Sequence, residues 1–324
     1  MNEFNLIRNY FETSSYQRRD VKVGIGDDAA ITQIPDGQYL ATTTDTLLES
    51  VHFLEGSAPN AIAHKSLAVN LSDLAAMGAE PAWINLSLSI PSADELWLSE
   101  FSNKIRELTE YFSIQLIGGD TVKGDLAITI TAQGFVPPDS ILTRSSAKPG
   151  DWIFVTGTLG DAAAGLDVLL GKLDVHDLTH KNALVNRHYY PTPRVLAGQT
   201  LRRLASSCID ISDGLLQDMQ HVLNASSVGA VLNLDQLPIS KALGKSIPHL
   251  EQALEYACTG GDDYELLFTV PEVHRVSVES AMASYNIPCT CIGQVTGAQG
   301  KLELRLNDEA YALSGKQSTG FQHF

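Results

Sequence analysis

In the run His64-Lys65-Ser66-Leu67-Ala68-Val69-Asn70-Leu71-Ser72-Asp73-Leu74-Ala75-Ala76-Met77-Gly78-Ala79-Glu80-Pro81, Asp73 is the one ionisable group between Lys65 and Glu80. Leu67, Leu71, Leu74 and Gly78 recur at helical spacing, and Ser66, Asn70, Asp73 and Met77 recur along a neighbouring stripe. The spacing predicts a helix with one face for a core and one for polar contacts. Aspartate is a poor helix-interior former and is almost never buried unpaired, so a cationic partner is expected at Asp73. A solvated aspartate on an amphipathic helix explains the residue equally well in isolation. The motifs on either side decide between the two.

Upstream, residues 21–25 form an apolar strand pattern ending in Gly26, Asp27 and Asp28. Gly24, Gly26 and Ala29 match the dinucleotide fingerprint G-x-G-x-x-A, but two aspartates stand where a pyrophosphate needs bare backbone N–H groups. The loop suits a cation better. Residues 39–44 alternate as a second strand, ending in Thr43, Thr44 and Asp45, with Glu49 and His52 beyond. Hydroxyl and carboxylate oxygens at a strand end are hard ligands suited to Mg²⁺. His52 beside Phe53 reads first as packing.

Downstream, residues 83–90 alternate as a half-buried strand, and Ser92 with Glu95 reads as a capping box for a helix with the stripe Trp97, Phe101, Ile105, Leu108, Phe112. The strand 114–117 runs into Gly118, Gly119, Asp120 and Thr121, a third strand ending in an aspartate. After the strand 126–136 comes Arg144, the only arginine between Arg106 and Arg187, and then a junction at Lys148-Pro149-Gly150-Asp151. Strands at 152–156, 208–211 and 266–270 alternate with helices at 161–170, 184–189, 194–205 and 215–224. Asp210, Ser212, Asp213 and Gly214 follow one of these strands, and Gly260-Gly261-Asp262-Asp263-Tyr264-Glu265 precedes another. The alternation predicts an α/β or α+β fold with mixed sheets, in two domains at 1–147 and 148–324.

The chain has 324 residues, 44% of them hydrophobic, enough for a sizeable core. Its formal net charge is −16, from 38 acidic against 22 basic side chains. That balance repels a phosphodiester backbone, which argues against a nucleic-acid partner and favours small cationic ones. No apolar run approaches the roughly 18 residues that span a bilayer, and Met1 to Tyr10 lacks a signal-peptide pattern, so no membrane role and a cytoplasmic place are expected. The four cysteines, Cys208, Cys258, Cys289 and Cys291, form no C-x-x-C pair and read as reduced structural thiols.

Two aspartates about 4 Å apart repel by about 4 kcal/mol at an effective dielectric near 20. If Asp28, Asp45, Asp73, Asp120, Asp210 and Asp213 converge, several divalent ions must neutralise them; six separate turn or cap aspartates are the plain alternative. No P-loop is present: Gly165 to Lys172 has one residue too many between its glycines, and Ala310 stands where Gly315-Lys316 needs a glycine. The protein-kinase Asp-Phe-Gly and His-Arg-Asp sets are also absent. A nucleotide would therefore be held chiefly through metal bridges.

Together, Gly24-Ile25-Gly26-Asp27-Asp28-Ala29, Thr43-Thr44-Asp45, His52-Phe53, the stretch from Asn70 to Gly78, Gly118-Gly119-Asp120-Thr121, Asp210-Ile211-Ser212-Asp213-Gly214 and Gly260-Gly261-Asp262-Asp263-Tyr264-Glu265-Leu266 resemble the bacterial thiamine-monophosphate kinases. The order and spacing span nearly the whole chain. The resemblance implies a two-domain fold of the aminoimidazole-ribonucleotide-synthetase type, with an ATP- and Mg²⁺-binding N-terminal domain that forms a homodimer through its sheet. It implies direct in-line transfer of phosphate from ATP to thiamine monophosphate. By position, Asp28, Thr43, Thr44, Asp45, Asp73, Asp120, Asp210 and Asp213 would hold Mg²⁺ ions. Gly119, Asp120, Arg144 and Ser212 would contact ATP, and His52, Asp262 and Phe321 would contact thiamine monophosphate. Asp73, Asp120 and Arg144 would carry the catalysis.

The chemistry agrees with the resemblance. Phosphoryl transfer mainly needs alignment and charge neutralisation, and a thiazolium cation suits an acid and an aromatic face. Three positions depart from the family pattern: Ser50 replaces a common glycine, Asp262 a usual glutamate, and Phe321 a C-terminal tryptophan or tyrosine. Rival readings are another synthetase of the same superfamily, such as an amidine-forming purine synthetase or selenophosphate synthetase, and a non-catalytic Mg-nucleotide sensor. Residues 1–19 lack the cysteine and lysine usual in selenophosphate synthetases.

Overall fold

The computed structural model describes residues 3–12 and 16–313. They divide into two compact α/β units. One runs to Leu74 and resumes over Ala79–Asp139; the other takes Ala75–Gly78 and everything described from Ser140 onward. Phe321 lies outside the described residues.

The first unit contains α1 (Glu3–Tyr10), β1 (Val21–Val23), β2 (Ile31–Thr32), β3 (Tyr39–Leu48), α2 (Pro59–Ala76, whose last two residues belong to the second unit), β4 (Glu80–Ile90), α3 (Glu95–Phe112), β5 (Gln115–Lys123) and β6 (Ala127–Val136). β1 and β2 pair as a small ribbon, and the other strands form a sheet in the order β3-β6-β4-β5. β3 and β6 stay in register over ten pairs, from Tyr39↔Val136 to Leu48↔Ala127. The threonine run at 42–44 therefore does not end the strand. Threonine is a good strand former, so Thr43, Thr44 and Asp45 lie in mid-strand rather than at its end. β5 likewise runs through Gly118–Asp120, with a bulge after Leu116.

The helix predicted around Asp73 is α2, but it has no broad polar face. From Ala61 to Ala76 every residue is buried except His64 and Asp73, which are half-buried. Ser66 and Asn70, expected to be polar-facing, disappear into the core by returning hydrogen bonds to their own helix. Ser66 Oγ donates to the Ile62 carbonyl at 2.8 Å, and Asn70 Nδ2 to the Ser66 carbonyl at 3.0 Å. Such i−4 bonds let short polar side chains sit in an apolar setting. At α3 the cap is Asp94, not Ser92: its carboxylate accepts from Leu96 N and Trp97 N, both at 2.9 Å, and starts the helix two residues later. Aspartate ranks among the strongest N-caps.

The second unit contains β7 (Trp152–Thr156), α4 (Asp161–Leu169), α5 (Leu178–Tyr189), α6 (Val195–Leu201), β8 (Ser207–Asp210), α7 (Leu215–Ser226), β9 (Gly229–Asn233), α8 (Lys241–Ser246), α9 (Leu250–Thr259), β10 (Leu266–Val270), α10 (Arg275–Ser284), β11 (Cys289–Thr296), β12 (Leu302–Leu306) and β13 (Glu309–Ala310). The strands form one mixed sheet, β13-β12-β9-β11-β7-β10-β8. β7 and β10 are continuous apolar runs, as strands flanked on both sides should be, and Phe154 stacks on Phe268 at 5.6 Å. All four cysteines are free thiols, with Cys208 and Cys258 buried.

Candidate active site

The first unit brings Thr43, Asp45 and Asp73 together. Residues 43, 45 and 47 share the face of β3 turned towards α2, and Thr43 Oγ1 donates to Asp73 Oδ2 at 2.5 Å. Burial raises the Asp45 carboxyl to about pH 7, and the charge and hydrogen bond of Asp73 push it the same way. Asp73 thus has a second acid, Asp45, beside it. Two half-buried carboxyls and a hydroxyl, facing one another, form an all-oxygen set that a hard divalent cation fits. Thr44 points to the other face, where its hydroxyl meets Thr131 Oγ1 at 2.9 Å.

Asp28 and Asp120 lie elsewhere. Both line a cleft of about 860 Å³, with residues 24–30 on one side and Gly118–Thr121 on the other. Asp27 Oδ1 accepts the Asp28 N–H at 2.9 Å, and Asp120 Oδ1 accepts the Thr121 N–H at 2.8 Å, so both loops are locally braced. Gly119 is obligatory here: a Cβ would lie 1.8 Å from the Leu86 carbonyl oxygen. β3 and β5 are the two edges of the sheet, three strand spacings or about 14 Å apart. Within one chain the Asp45 pair and Asp120 therefore stand at opposite edges.

His52 sits in the turn after β3. Its Nδ1 accepts the Leu48 N–H at 3.0 Å, its own N–H donates to the Leu48 carbonyl at 2.9 Å, and Lys65 Nζ donates to its carbonyl at 3.0 Å. An accepting Nδ1 puts the proton of the neutral ring on Nε2. Ser50, in the same turn, has φ +63°. That left-handed value explains why a glycine is common at this position.

In the second unit β8 pairs with β10, Asp210 opposite Leu266, and the loops that follow and precede these strands are stitched together. Asp262 N donates to the Ser212 carbonyl and Tyr264 N to the Ile211 carbonyl, both at 2.8 Å. Gly261 permits that approach, since a Cβ there would lie 2.7 Å from the Ser212 oxygen. Asp210, Ser212, Asp213 and Asp262 are thereby collected in one region. Asp262 has φ +67°; its carboxylate accepts from Tyr264 Oη at 3.0 Å and lies 3.8 Å from His188 Nδ1.

Arg144 is not in that region by its backbone. Its carbonyl accepts from Ser226 Oγ at 3.0 Å, at the C-terminal end of α7, about 18 Å along that helix from the Ser212 loop. Its side chain is exposed, with no hydrogen bond or ion pair among the described residues.

Residues with no local sequence signal complete the site. Gln217 Nε2 holds Asp213 Oδ2 at 2.9 Å, and Asp218 Oδ2 accepts the N–H groups of Ser212, Asp213 and Gly214. Burial, reinforced by Asp213, raises the Asp218 carboxyl to about 7. Beneath the Gly260–Glu265 loop, the fully buried Glu265 takes Arg187 Nη2 at 2.9 Å, Arg194 Nε at 2.5 Å and Nη2 at 2.6 Å, and Thr156 Oγ1 at 2.6 Å. Only their convergence in space marks these partners, which are 71 to 109 residues from Glu265 in sequence.

The chain matches the family described as AIR synthase related protein, its N-terminal domain over residues 26–136 and its C-terminal domain over 148–305. It is 50% identical to a thiamine-monophosphate kinase of Escherichia coli K12 over 322 residues, 99% of this chain and 98% of the relative. To the Haemophilus influenzae thiamine-monophosphate kinase it is 43% identical, over all of this chain and 98% of the relative. A crystal structure of the Stenotrophomonas maltophilia thiamine-monophosphate kinase superposes with TM-score 0.84 at 42% identity, covering 91% of this chain and 93% of the other. A structure described as AaThiL complexed with AMPPCP and TMP gives 0.76 at 31% identity, covering 93% and 92%. Among the described residues no helix is long and apolar enough to cross a membrane.

Proposed function

The chain belongs to the AIR synthase related family and, within it, to the thiamine-monophosphate kinases; from that premise we propose that it transfers the γ-phosphoryl group of ATP to thiamine monophosphate, giving ADP and thiamine diphosphate. The observation that carries the site assignment is the Asp45–Asp73 pair, two acids side by side against the Thr43 hydroxyl. Asp45, Asp73 and Thr43 would hold Mg²⁺, as would Asp28 and Asp120 across their cleft and Asp210 and Asp213 in the second unit; Thr44 would join through the other face of β3. Bound Mg²⁺ supplies neutralisation of the charge that spreads over the transferring phosphoryl group.

The protein's own work is alignment. Gly119 admits the nucleotide close to the backbone, Asp120 and Ser212 offer oxygens beside it, and the exposed Arg144 guanidinium suits phosphate oxygens. Asp262 offers a carboxylate to the thiazolium cation, His52 presents an Nε2 proton near the end of β3, and Phe321 supplies an aromatic face. No side chain is needed as a nucleophile, so the phosphoryl group passes directly between the substrates. The N-terminal domain, 1–147, carries most of the metal ligands, and 148–324 completes the nucleotide and substrate site. A homodimer through the N-terminal sheet is supported by its two unpaired edges, β3 and β5, and by the exposed Leu40, Leu48 and Val122 on them. The enzyme acts in the cytoplasm.

The test is ADP release from ATP and Mg²⁺, with and without thiamine monophosphate, with the product identified and the protein checked for label from γ-phosphate. ADP release that depends on thiamine monophosphate, with no label on the protein, is expected. No stimulation would sink the assignment, and covalent label would sink the direct transfer. Sedimentation should give a dimer mass.

A further inference from the structure

Just before α7, the backbone N–H groups of Ser212, Asp213 and Gly214 converge on a single oxygen, Oδ2 of Asp218, each at 3.1 Å. Asp218 is 2% exposed and lies one turn into the same helix. Gly214, the residue at the helix start, has φ +120° and no side-chain cap, and the carboxylate satisfies the three N–H groups that lead into the helix. Successive N–H groups converging ahead of a helix make a concavity that elsewhere receives a phosphate or carboxylate ligand. Here the chain fills that concavity with its own acid. An incoming phosphate meets no open N–H group at Ser212, Asp213 or Gly214. It meets outward oxygens instead: the Ser212 hydroxyl and the Asp213 carboxylate, the latter steadied by Gln217.

We propose that Asp218 is a positioning residue which closes the loop's anion site from within and thereby turns Ser212 and Asp213 into ligands for a metal-bound nucleotide. The proposal rests on the reading that Ser212 and Asp213 serve the nucleotide and its metal. Without Asp218 the three N–H groups are open, and the loop becomes a direct phosphate binder whose acid no longer points at a cation. With Asn at 218 the accepting oxygen is kept, so the concavity stays filled.

Two measurements test this on the full chain. The first needs no turnover: thermal melts are run with inorganic phosphate, without Mg²⁺, on wild type, Asp218→Ala and Asp218→Asn. Asp218→Ala should gain melting temperature with phosphate beyond any wild-type gain, and Asp218→Asn should follow wild type. The second is steady-state kinetics, in which Asp218→Ala should raise KM for Mg-ATP at least tenfold while KM for thiamine monophosphate stays within twofold. Asp218→Asn should raise KM for Mg-ATP by less than Asp218→Ala. Equal phosphate responses in all three proteins would overturn the proposal, as would equal shifts in both KM values, which a loosened fold alone produces. If wild type fails to phosphorylate thiamine monophosphate while Asp218→Ala still gains its phosphate response, the functional reading falls and the filled anion site stands.

Discussion

Two acid clusters in this chain are built in opposite ways. Glu265 is fully buried, yet it meets two arginines and a threonine hydroxyl, so its charge is compensated within the fold. Asp45 is only half-buried, yet its neighbour is Asp73, and burial together with that like charge lifts its carboxyl to about 7. The depth of burial does not set these two acids apart; the sign of what stands beside each one does. Glu265 anchors the Gly260–Glu265 loop, whereas Asp45 has a like charge beside it.

The largest effect should come from breaking the compensated cluster. Glu265→Ala leaves Arg187 and Arg194 without their acid and removes the acceptor of Thr156, a loss of about 3 to 5 kcal/mol for one partner of a buried pair. Denaturant unfolding should show that loss, or the chain should fail to accumulate folded. Stability within 1 kcal/mol of wild type would mean the cluster is dispensable and would remove the contrast.

Asp73→Asn should do the reverse, sparing the fold and removing turnover. Asparagine keeps the shape and one carbonyl oxygen but loses the charge that balances a cation between two phosphates. A loss of about 3 to 4 kcal/mol of transition-state stabilisation lowers kcat by about 10² to 10³. Melting temperature should hold or rise, because a repulsion is relieved, and the gain on adding Mg²⁺ and ATP should shrink. Wild-type turnover with an intact metal response would return Asp73 to an ordinary helix aspartate.

The same pair sets a pH dependence with a defined sign. The Asp45 carboxyl titrates near 7 in the folded chain against an ordinary value of 3.8, so between about pH 4 and 7 the unfolded chain has released a proton that the folded chain keeps. Stability without metal should therefore fall as pH rises through that window and level off above it. Asp218, also raised to about 7, adds a fall of the same sign. Asp45→Asn should remove only its own share of the slope, and Mg²⁺ at pH 8 should stabilise wild type more than this variant. Unfolding curves at pH 5 and pH 8 that show no fall for wild type would break the assignment of a raised Asp45 carboxyl.

How far these clusters were legible in the sequence follows from how local each one is. β7 and β10 were readable residue for residue, since a bounded five-residue apolar run has few other fates. Asp45 and Asp73 are visible as motifs, but Asp45 reads as a strand end, because nothing in a Thr-Thr-Thr-Asp run tells that β6 pairs with the strand for three residues more. The burial of α2 was hidden because Ser66 and Asn70 look polar until their i−4 bonds are seen. The Glu265 partners were illegible, since the separation from Arg194 is 71 residues and follows no period. Asp218 had the spacing of a helical turn from Gly214, a signal too common to stand out without three N–H groups aimed at it.

The smallest effect concerns the turn that carries His52 away from the Asp45 strand. Ser50 holds φ +63° there, a conformation that costs an L-residue roughly 1 to 2 kcal/mol, while glycine pays instead about 0.5 to 1 kcal/mol in lost unfolded-chain freedom. Ser50 is exposed, so Ser50→Gly sacrifices no packing and should stabilise the chain by about 0.5 to 1 kcal/mol. His52 is fixed through Leu48 and Lys65 rather than through Ser50, so KM for thiamine monophosphate should stay within twofold. A rise in KM with no gain in stability would mean that the serine hydroxyl, not the backbone, matters in this turn, and the departure from glycine would then belong to the substrate site.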